Sequence, residues 1–375
     1  MRARNSANAC TVCADLLRVQ GHEIWSGLLK WLVMASISIT LSAQSHATQQ
    51  PGVEQTVVAF ERAHIWFGKE NRRELVIAVD FPEQGAFAKI RLDLELSCPQ
   101  GGCDAWDRFG SLAIVPEDQP QQRIELARFI TPYGVGGAWS IDLTDLRPLL
   151  KGKVHIAAFI DTWVGPDSGR YGAGWLLGAR FHFSPGKPPR QVAAVIPVFP
   201  RTSVVYGNPG QPIASQLPAR QLQLPSRSPH WVIRSFVTGH GQGNRDNCAE
   251  FCAKTHHLQL QDQMFSKRIW RDDCDQNPLN TQKGNWKYPR AGWCPGSPVS
   301  PWLVDVSRAV SGTGKGTSTG PSEISVAYAV EAYDNSCRPD APICSACTLG
   351  TGCAYDDGRH TEPKWIISSL LIAYN

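Results

Sequence analysis

Short stretches in which apolar and polar residues alternate, or β-branched residues cluster, recur along the chain. They are LVIAVDF (75–81), AKIRLDLEL (88–96), SLAIV (111–115), HIAAFIDTWV (155–164), ARFHF (179–183), AAVIPVF (193–199), HWVIRSFV (230–237), EISVAYAV (323–330) and WIISSLLIAY (365–374). A two-residue period puts successive side chains on opposite faces of a strand. Gly- and Pro-rich turns separate the stretches, which predicts antiparallel sandwiches rather than βαβ units. Only LTDLRPLL (143–150) and VDVSRAV (304–310) have helical character, each enough for a single turn. The strand supply predicts an all-β fold of two side-by-side, eight-stranded antiparallel jelly-roll sandwiches, an arrangement that protects sheet edges.

The Pro- and Gly-rich segment SPGKPPR (184–190) lies between two strands near the middle of the chain, so an N-terminal jelly roll is expected over 48–186 and a C-terminal one over 187–375. Four cysteines in CRPDAPICSACTLGTGC (337–353) mark a disulfide-rich insertion at 334–363, whose role is to cap a cleft or, the preferred expectation, to brace a connection. GTGKGTSTGPS (312–322) has no apolar periodicity and is expected to be a mobile surface loop. At the start, Lys30 precedes an apolar run that ends in Ser45-His46-Ala47, the pattern of a secretory signal and its cleavage site. Ser36, Ser38, Thr40 and Ser42 interrupt that run, which is too short for the roughly 20 apolar residues of a membrane span. Residues 1–47 are therefore set apart as a signal segment. Its long lead-in suggests a misplaced start codon.

The charge balance, 37 Lys plus Arg against 33 Asp plus Glu, makes no basic field for nucleic acid or an anionic membrane. Ten cysteines follow residue 47, a number suited to five bridges in a secreted or periplasmic protein. Short spacing pairs Cys98 with Cys103 and Cys248 with Cys252. Cys337, Cys344, Cys347 and Cys353 form a separate group. Four thiolates suit zinc, but export without any other metal pattern favours two local disulfides and no metal.

The richest chemistry lies in CPQGGCDAWDRFG (98–110), where a two-cysteine loop presents Asp104, Trp106, Asp107 and Arg108 at its exit. The pattern Cys-x4-Cys-Asp-x-Trp-Asp-Arg resembles the peptide-N-glycosidase F family, secreted bacterial enzymes that remove whole N-linked glycans. The resemblance continues in order through ARFITPY (127–133), DTWVG (161–165), CAEFCAKTHH (248–257) and WKYPRAGWCPG (286–296). It implies the double jelly roll, a Cys274–Cys294 disulfide, N-glycosylated peptides or proteins as substrates, and a cofactor-free hydrolase.

The resemblance makes Asp107 the principal catalytic acid and Glu250, inside CAEFC, a second; taken alone, either could be an ordinary surface or ion-paired carboxylate. Asp161 falls where the family has a third acid, usually Glu, and is one methylene shorter. Arg108 and Arg290 resemble the family's site arginines, suited to carboxylates or substrate oxygens. Trp106, Trp163 and Trp293 offer faces for sugar stacking, Trp163 first among them, although burial is the commoner fate of Trp in a sandwich. Phe251 replaces a Trp of the family in the cysteine ring. His240 stands at a substrate-contacting Trp.

His256 and His257 resemble the Thr-His-His-Leu run of the two-jelly-roll copper monooxygenases. The ligand pattern there is His-x-His, and Lys254 occupies the first ligand position here, so packing or hydrogen bonding is expected instead. The expected activity is hydrolysis of the asparagine–N-acetylglucosamine amide by a monomer. The rival from another class is a glycan-binding protein that keeps the cleft without turnover, motivated by the changes at Asp161, Phe251 and His240.

Overall fold

The computed structural model describes residues 52–225, 228–311, 323–356 and 359–375. The expected signal segment and the loop at 312–322 lie outside the described residues. Strands β1 (Gln55–Phe67), β2 (Asn71–Arg72), β3 (Glu74–Phe81), β4 (Phe87–Ser97), β5 (Phe109–Val115), β6 (Ile124–Ile130), β7 (Gly137–Asp142), β8 (Gly152–Ile160) and β9 (Trp175–Pro185) build the first sandwich. The second uses β10 (Val192–Val205), β11 (Arg220–Gln223), β12 (His230–His240), β13 (Lys254–Leu260), β14 (Gln263–Ile269), β16 (Trp302–Asp305), β17 (Glu323–Val330) and β18 (Lys364–Tyr374). The two-residue β15 (Ser297–Pro298) crosses back to pair with β6.

The first sandwich stacks sheet β2-β1-β9-β4-β7 on sheet β15-β6-β5-β8-β3; the second stacks β10-β18-β12-β16 on β11-β17-β13-β14. Every strand pairing is antiparallel, so the expected all-β double sandwich is the fold. Each sandwich fills its own core. Leu92, Phe181 and Ile156 are among the buried residues of the first, and Ile233, Leu258 and Trp365 among those of the second.

β12 explains how the sandwiches meet. Nearly all its residues are buried, because both faces are covered. Trp231, Ile233 and Val237 enter the second core, whereas Val232 joins the first sandwich's apolar cluster and Phe236 joins Phe109, Ile130, Trp293 and Ile366 in a cluster between them. The contact also contains a fully buried ion pair. Arg128 on β6 donates to both carboxylate oxygens of Glu125 (2.9 and 2.7 Å) and reaches across to Thr238 Oγ1 (2.9 Å) and the Ile366 carbonyl (2.7 Å).

Local departures from the sequence pattern bear on the site. HIAAFIDTWV does not stay in one strand; β8 ends at Ile160, and residues 161–164 leave the sheet. The turn at Thr144–Leu149 is a 3-10 helix with Pro148 inside it, and VDVSRAV divides into the end of β16 and a short helix, Ser307–Ser311.

Candidate active site

The Cys98–Cys103 disulfide forms as its spacing suggests, and immediately after it Asp104 is fully buried. Its carboxylate accepts hydrogen bonds from the Trp106 backbone N–H (3.0 Å), Arg108 Nε (2.8 Å) and Thr162 Oγ1 (2.7 Å). One acid thus fastens the loop at 104–108 to the segment that leaves β8. Thr131 adds a second tie by accepting from the Arg108 N–H (2.8 Å). Asp107, held between these ties, lies where β5 begins.

Glu250 comes from the other sandwich, inside the closed Cys248–Cys252 ring. Its N–H donates to the Gly241 carbonyl (3.0 Å), and its carbonyl accepts from Ala291 N–H (2.9 Å). Gly241 has φ +97°, and a Cβ there would stand 2.3 Å from the Glu362 carbonyl oxygen, so glycine alone suits this crossing. Arg290 is positioned by a backbone bridge to Arg271.

The two acids meet at Arg290, which is 1% exposed. Its Nε is 3.1 Å from Glu250 Oε1 and its Nη2 is 3.8 Å from Asp107 Oδ2. Nη1 donates to the Tyr288 carbonyl (2.8 Å) and Nη2 to the Asn285 carbonyl (3.0 Å) and Tyr133 hydroxyl (3.5 Å), which fixes the guanidinium plane. Phe251 and Trp293 flank it, with ring centroids 4.6 and 5.1 Å from Cζ.

Burial is the largest influence on both carboxyls. It raises the Asp107 pKa, while Arg290, hydrogen bonding from Tyr133 and the charge of Arg108 pull it down. Glu250 is pushed up to about 8 by burial and by the Asp107 charge, against the pull of Arg290. Tyr133 is likewise raised, first by burial and then by Asp107, and stays a phenol at neutral pH. With one guanidinium between two acids, the two carboxyls titrate as a coupled pair.

Asp107, Arg108, Asp161, Trp163 and His240 line one cavity of 640 Å³. Asp161 pairs with Arg73 Nη1 (3.1 Å), and the Arg73 guanidinium lies 4.3 Å from the centroid of Trp163, which is 53% exposed. His240 stacks on Trp293 (5.3 Å between centroids, planes 20° apart), and its Nε2 is 2.9 Å from Thr238 Oγ1. Burial, with Lys364 and Arg128 nearby, holds its pKa well below the usual range, so it is neutral.

Other expected contacts differ. Trp293 is 2% exposed with its indole N–H on the Gly239 carbonyl (2.7 Å); it presents no face to a sugar and instead backs His240 and Arg290. Phe251 is likewise taken up by Arg290. Trp106 is half-exposed but stands off the cavity wall. His256 points into the core, with Nδ1 2.8 Å from Tyr328 Oη, whereas His257 meets Ser266 Oγ (2.7 Å) on the opposite face of β13. Adjacent strand residues so divided cannot hold the same ion.

The Cys274–Cys294 disulfide is present, as the resemblance implies. The insertion's cysteines pair as Cys337–Cys347 and Cys344–Cys353, the two local bridges expected. Bracing is not the whole of its role. Asp356, Thr361 and Glu362 from this insertion join the cavity wall, which sequence reasoning had given second place. Tyr133 and Arg73 were also missed. Tyr133 lies within ARFITPY, but Arg73 sits in a charged run that reads as solvated surface.

Comparison with known proteins places this arrangement. The family descriptions "Peptide-N-glycosidase F, N terminal" and "Peptide-N-glycosidase F, C terminal" match residues 113–168 and 213–331. Over these two segments the chain is similar to the peptide-N-glycosidase F family. Peptide-N(4)-(N-acetyl-beta-D-glucosaminyl)asparagine amidase F of Elizabethkingia miricola is 29% identical over 265 residues, spanning 67% of this chain and 72% of that relative. The structure of PNGase F, a glycosylasparaginase from Flavobacterium meningosepticum, superposes with TM-score 0.68 at 24% identity, covering 86% of this chain and 96% of its own. PNGF-II gives TM-score 0.63 at 19% identity, covering 85% of this chain and 65% of that one. These superpositions support the fold.

Proposed function

We propose that this protein is a peptide-N-glycosidase that hydrolyses the amide between asparagine and the first N-acetylglucosamine of N-linked glycopeptides or glycoproteins. The observation that carries the reading is the shared Arg290 clamp, which joins an acid from each sandwich, Asp107 at the cavity and Glu250 behind it. At neutral pH Glu250 retains its proton, which leaves the guanidinium charge to hold Asp107 ionised as a base. Asp107 takes a proton from water as the water oxygen adds to the amide carbonyl carbon. Arg108 stands beside the developing oxyanion. As the carbon–nitrogen bond breaks, Asp107 returns the proton to the departing nitrogen, releasing a glycosylamine and leaving aspartate in the peptide.

Asp161, oriented by Arg73, accepts hydrogen bonds from substrate hydroxyls, and Trp163 supplies the sugar-stacking face. His240, neutral and braced by Trp293, forms an uncharged part of the wall. A glycan-binding protein without turnover would not require two desolvated acids around one buried arginine. The division into domains 48–186 and 187–375 fits this reading, each contributing one acid. Five disulfides among the described residues and the signal-like segment at 28–47 support a secreted or periplasmic protein.

The test is incubation of the oxidised protein with an N-glycopeptide, followed by mass spectrometry. Conversion of the glycosylated Asn to Asp is expected, with a loss of about 10³-fold in kcat for Asp107→Asn. Intact glycopeptide across neutral, acidic and fucosylated glycans, with binding retained, would move the protein to the binding class.

A further inference from the structure

β12 carries a second opening on the face that bears His240. Even-numbered side chains from Val232 to His240 point toward the first sandwich. His240 reaches the cavity of the acids; Arg234 lies about 20 Å away along the extended strand and lines a separate cavity of 1080 Å³. Thr238 and the buried Glu125–Arg128 pair occupy the strand face between them.

Arg234 is 8% exposed, and its one hydrogen bond among the described residues runs from Nη2 to the Leu126 carbonyl (3.1 Å). A guanidinium has five N–H groups. No carboxylate among the described residues lies within ion-pair distance of it. The neighbouring arginines are satisfied, Arg190 by Asp145 (3.1 Å) and Arg271 by Asp273 (2.7 Å). Phe236 covers one face of the Arg234 guanidinium at 4.4 Å. Burial draws its pKa down only to about 10, so it remains a cation at neutral pH. Glu125 and Asp145 favour this charge only from beyond ion-pair distance, and the donors they leave unmet line a cavity large enough for several sugar rings or a short peptide.

We propose that this cleft is a second ligand site in which Arg234 receives a carboxylate. One cation without a contacting carboxylate matches a monoanion. Asp142, Asp145 and Asp305 on the same wall oppose a dianion and leave acceptors for ligand hydroxyls. An acidic sugar and an acidic peptide side chain offer the same carboxylate. The site is independent of the amidase reading.

Calorimetric titration of the oxidised full chain with glucuronate, N-acetylglutamate amide, glucose and phosphate tests the proposal. Binding of at least one carboxylate, stronger than phosphate and absent for glucose, is expected; glucuronate or the glutamate derivative as the tighter ligand identifies the source. Arg234→Met should weaken that binding about tenfold or more while glycopeptide turnover stays unchanged, and Arg234→Lys should fall between. Should Arg234→Met fail to fold, NMR titration of the unaltered protein decides the matter. His230, on the cavity wall, should shift on carboxylate addition, whereas core-facing His256 should not. No carboxylate binding, tighter phosphate binding, binding undiminished by Arg234→Met, or an unmoved His230 would overturn the proposal.

Discussion

Replacing Arg290 with Met tests the electrostatic account of the acid pair directly. The unbranched side chain keeps much of the volume between Phe251 and Trp293 but removes a charge 3.8 Å from Asp107 Oδ2 and 3.1 Å from Glu250 Oε1. At an effective dielectric constant near 20, a unit charge at such distances contributes about 4 kcal/mol to each ionised carboxylate, or about 3 pH units. Water admitted to the altered site offsets part of this, so a rise of about 2 units in the Asp107 pKa is expected. The acid limb of kcat/KM should move up by the same amount. On the acid side of the profile turnover of a glycopeptide should fall about 10²-fold, with recovery as the pH rises. A uniform loss at every pH, with the acid limb unmoved, would refute the reasoning and make Arg290 a substrate contact or purely structural.

Stability supplies an independent readout. Folding raises the pKa of both carboxyls, so it favours their protonated forms. For Glu250 that contribution is fully present below its ordinary value of 4.5 and is lost as pH rises through about 8. The denaturant midpoint of the unaltered protein should therefore decline across this interval, and Arg290→Met should decline more steeply and to higher pH. Parallel profiles would contradict the assigned coupling.

Three further outcomes follow from the geometry. Trp163→Ala should raise KM about tenfold with kcat changed only a few-fold; steady-state kinetics showing the reverse would exclude a stacking role. Arg73→Met frees Asp161 and should lower kcat/KM about tenfold while costing less than about 1 kcal/mol in denaturation, since the pair is partly exposed. Glu125→Ala leaves Arg128 buried and unpaired and should cost about 3–5 kcal/mol, most of it recovered in Glu125→Leu/Arg128→Met; a single-variant loss under about 1 kcal/mol would contradict the reading of that contact.

The strands were legible because alternation constrains a half-buried sheet wherever it occurs, and β3, β4, β9, β17 and β18 each cover an apolar stretch recognised in the chain. The exit from β8 was not legible. Ile160, Asp161, Thr162, Trp163 and Val164 continue the alternation, and only tertiary partners end the strand: the Asp161 side chain meets Arg73, and Thr162 meets Asp104. Those partners lie 88 and 58 residues away in sequence.

The same distance effect explains what could be seen of the site. Asp107 and Glu250 stand beside short cysteine rings, which leave a mark in the sequence, whereas Tyr133 and Arg73 are defined by what they face. The exposed or buried fate of a tryptophan is also a tertiary property. Trp163 and Trp293 occupy comparable motifs, yet one opens on the cavity and the other is enclosed behind His240. β12 carries this logic furthest: its apolar run suggests a core strand, but one face bears Arg234, Thr238 and His240 toward the other sandwich. Burial on both faces makes the strand a rigid mount from which separated polar groups can serve two openings, because each is held by the contact between sandwiches rather than by a mobile loop.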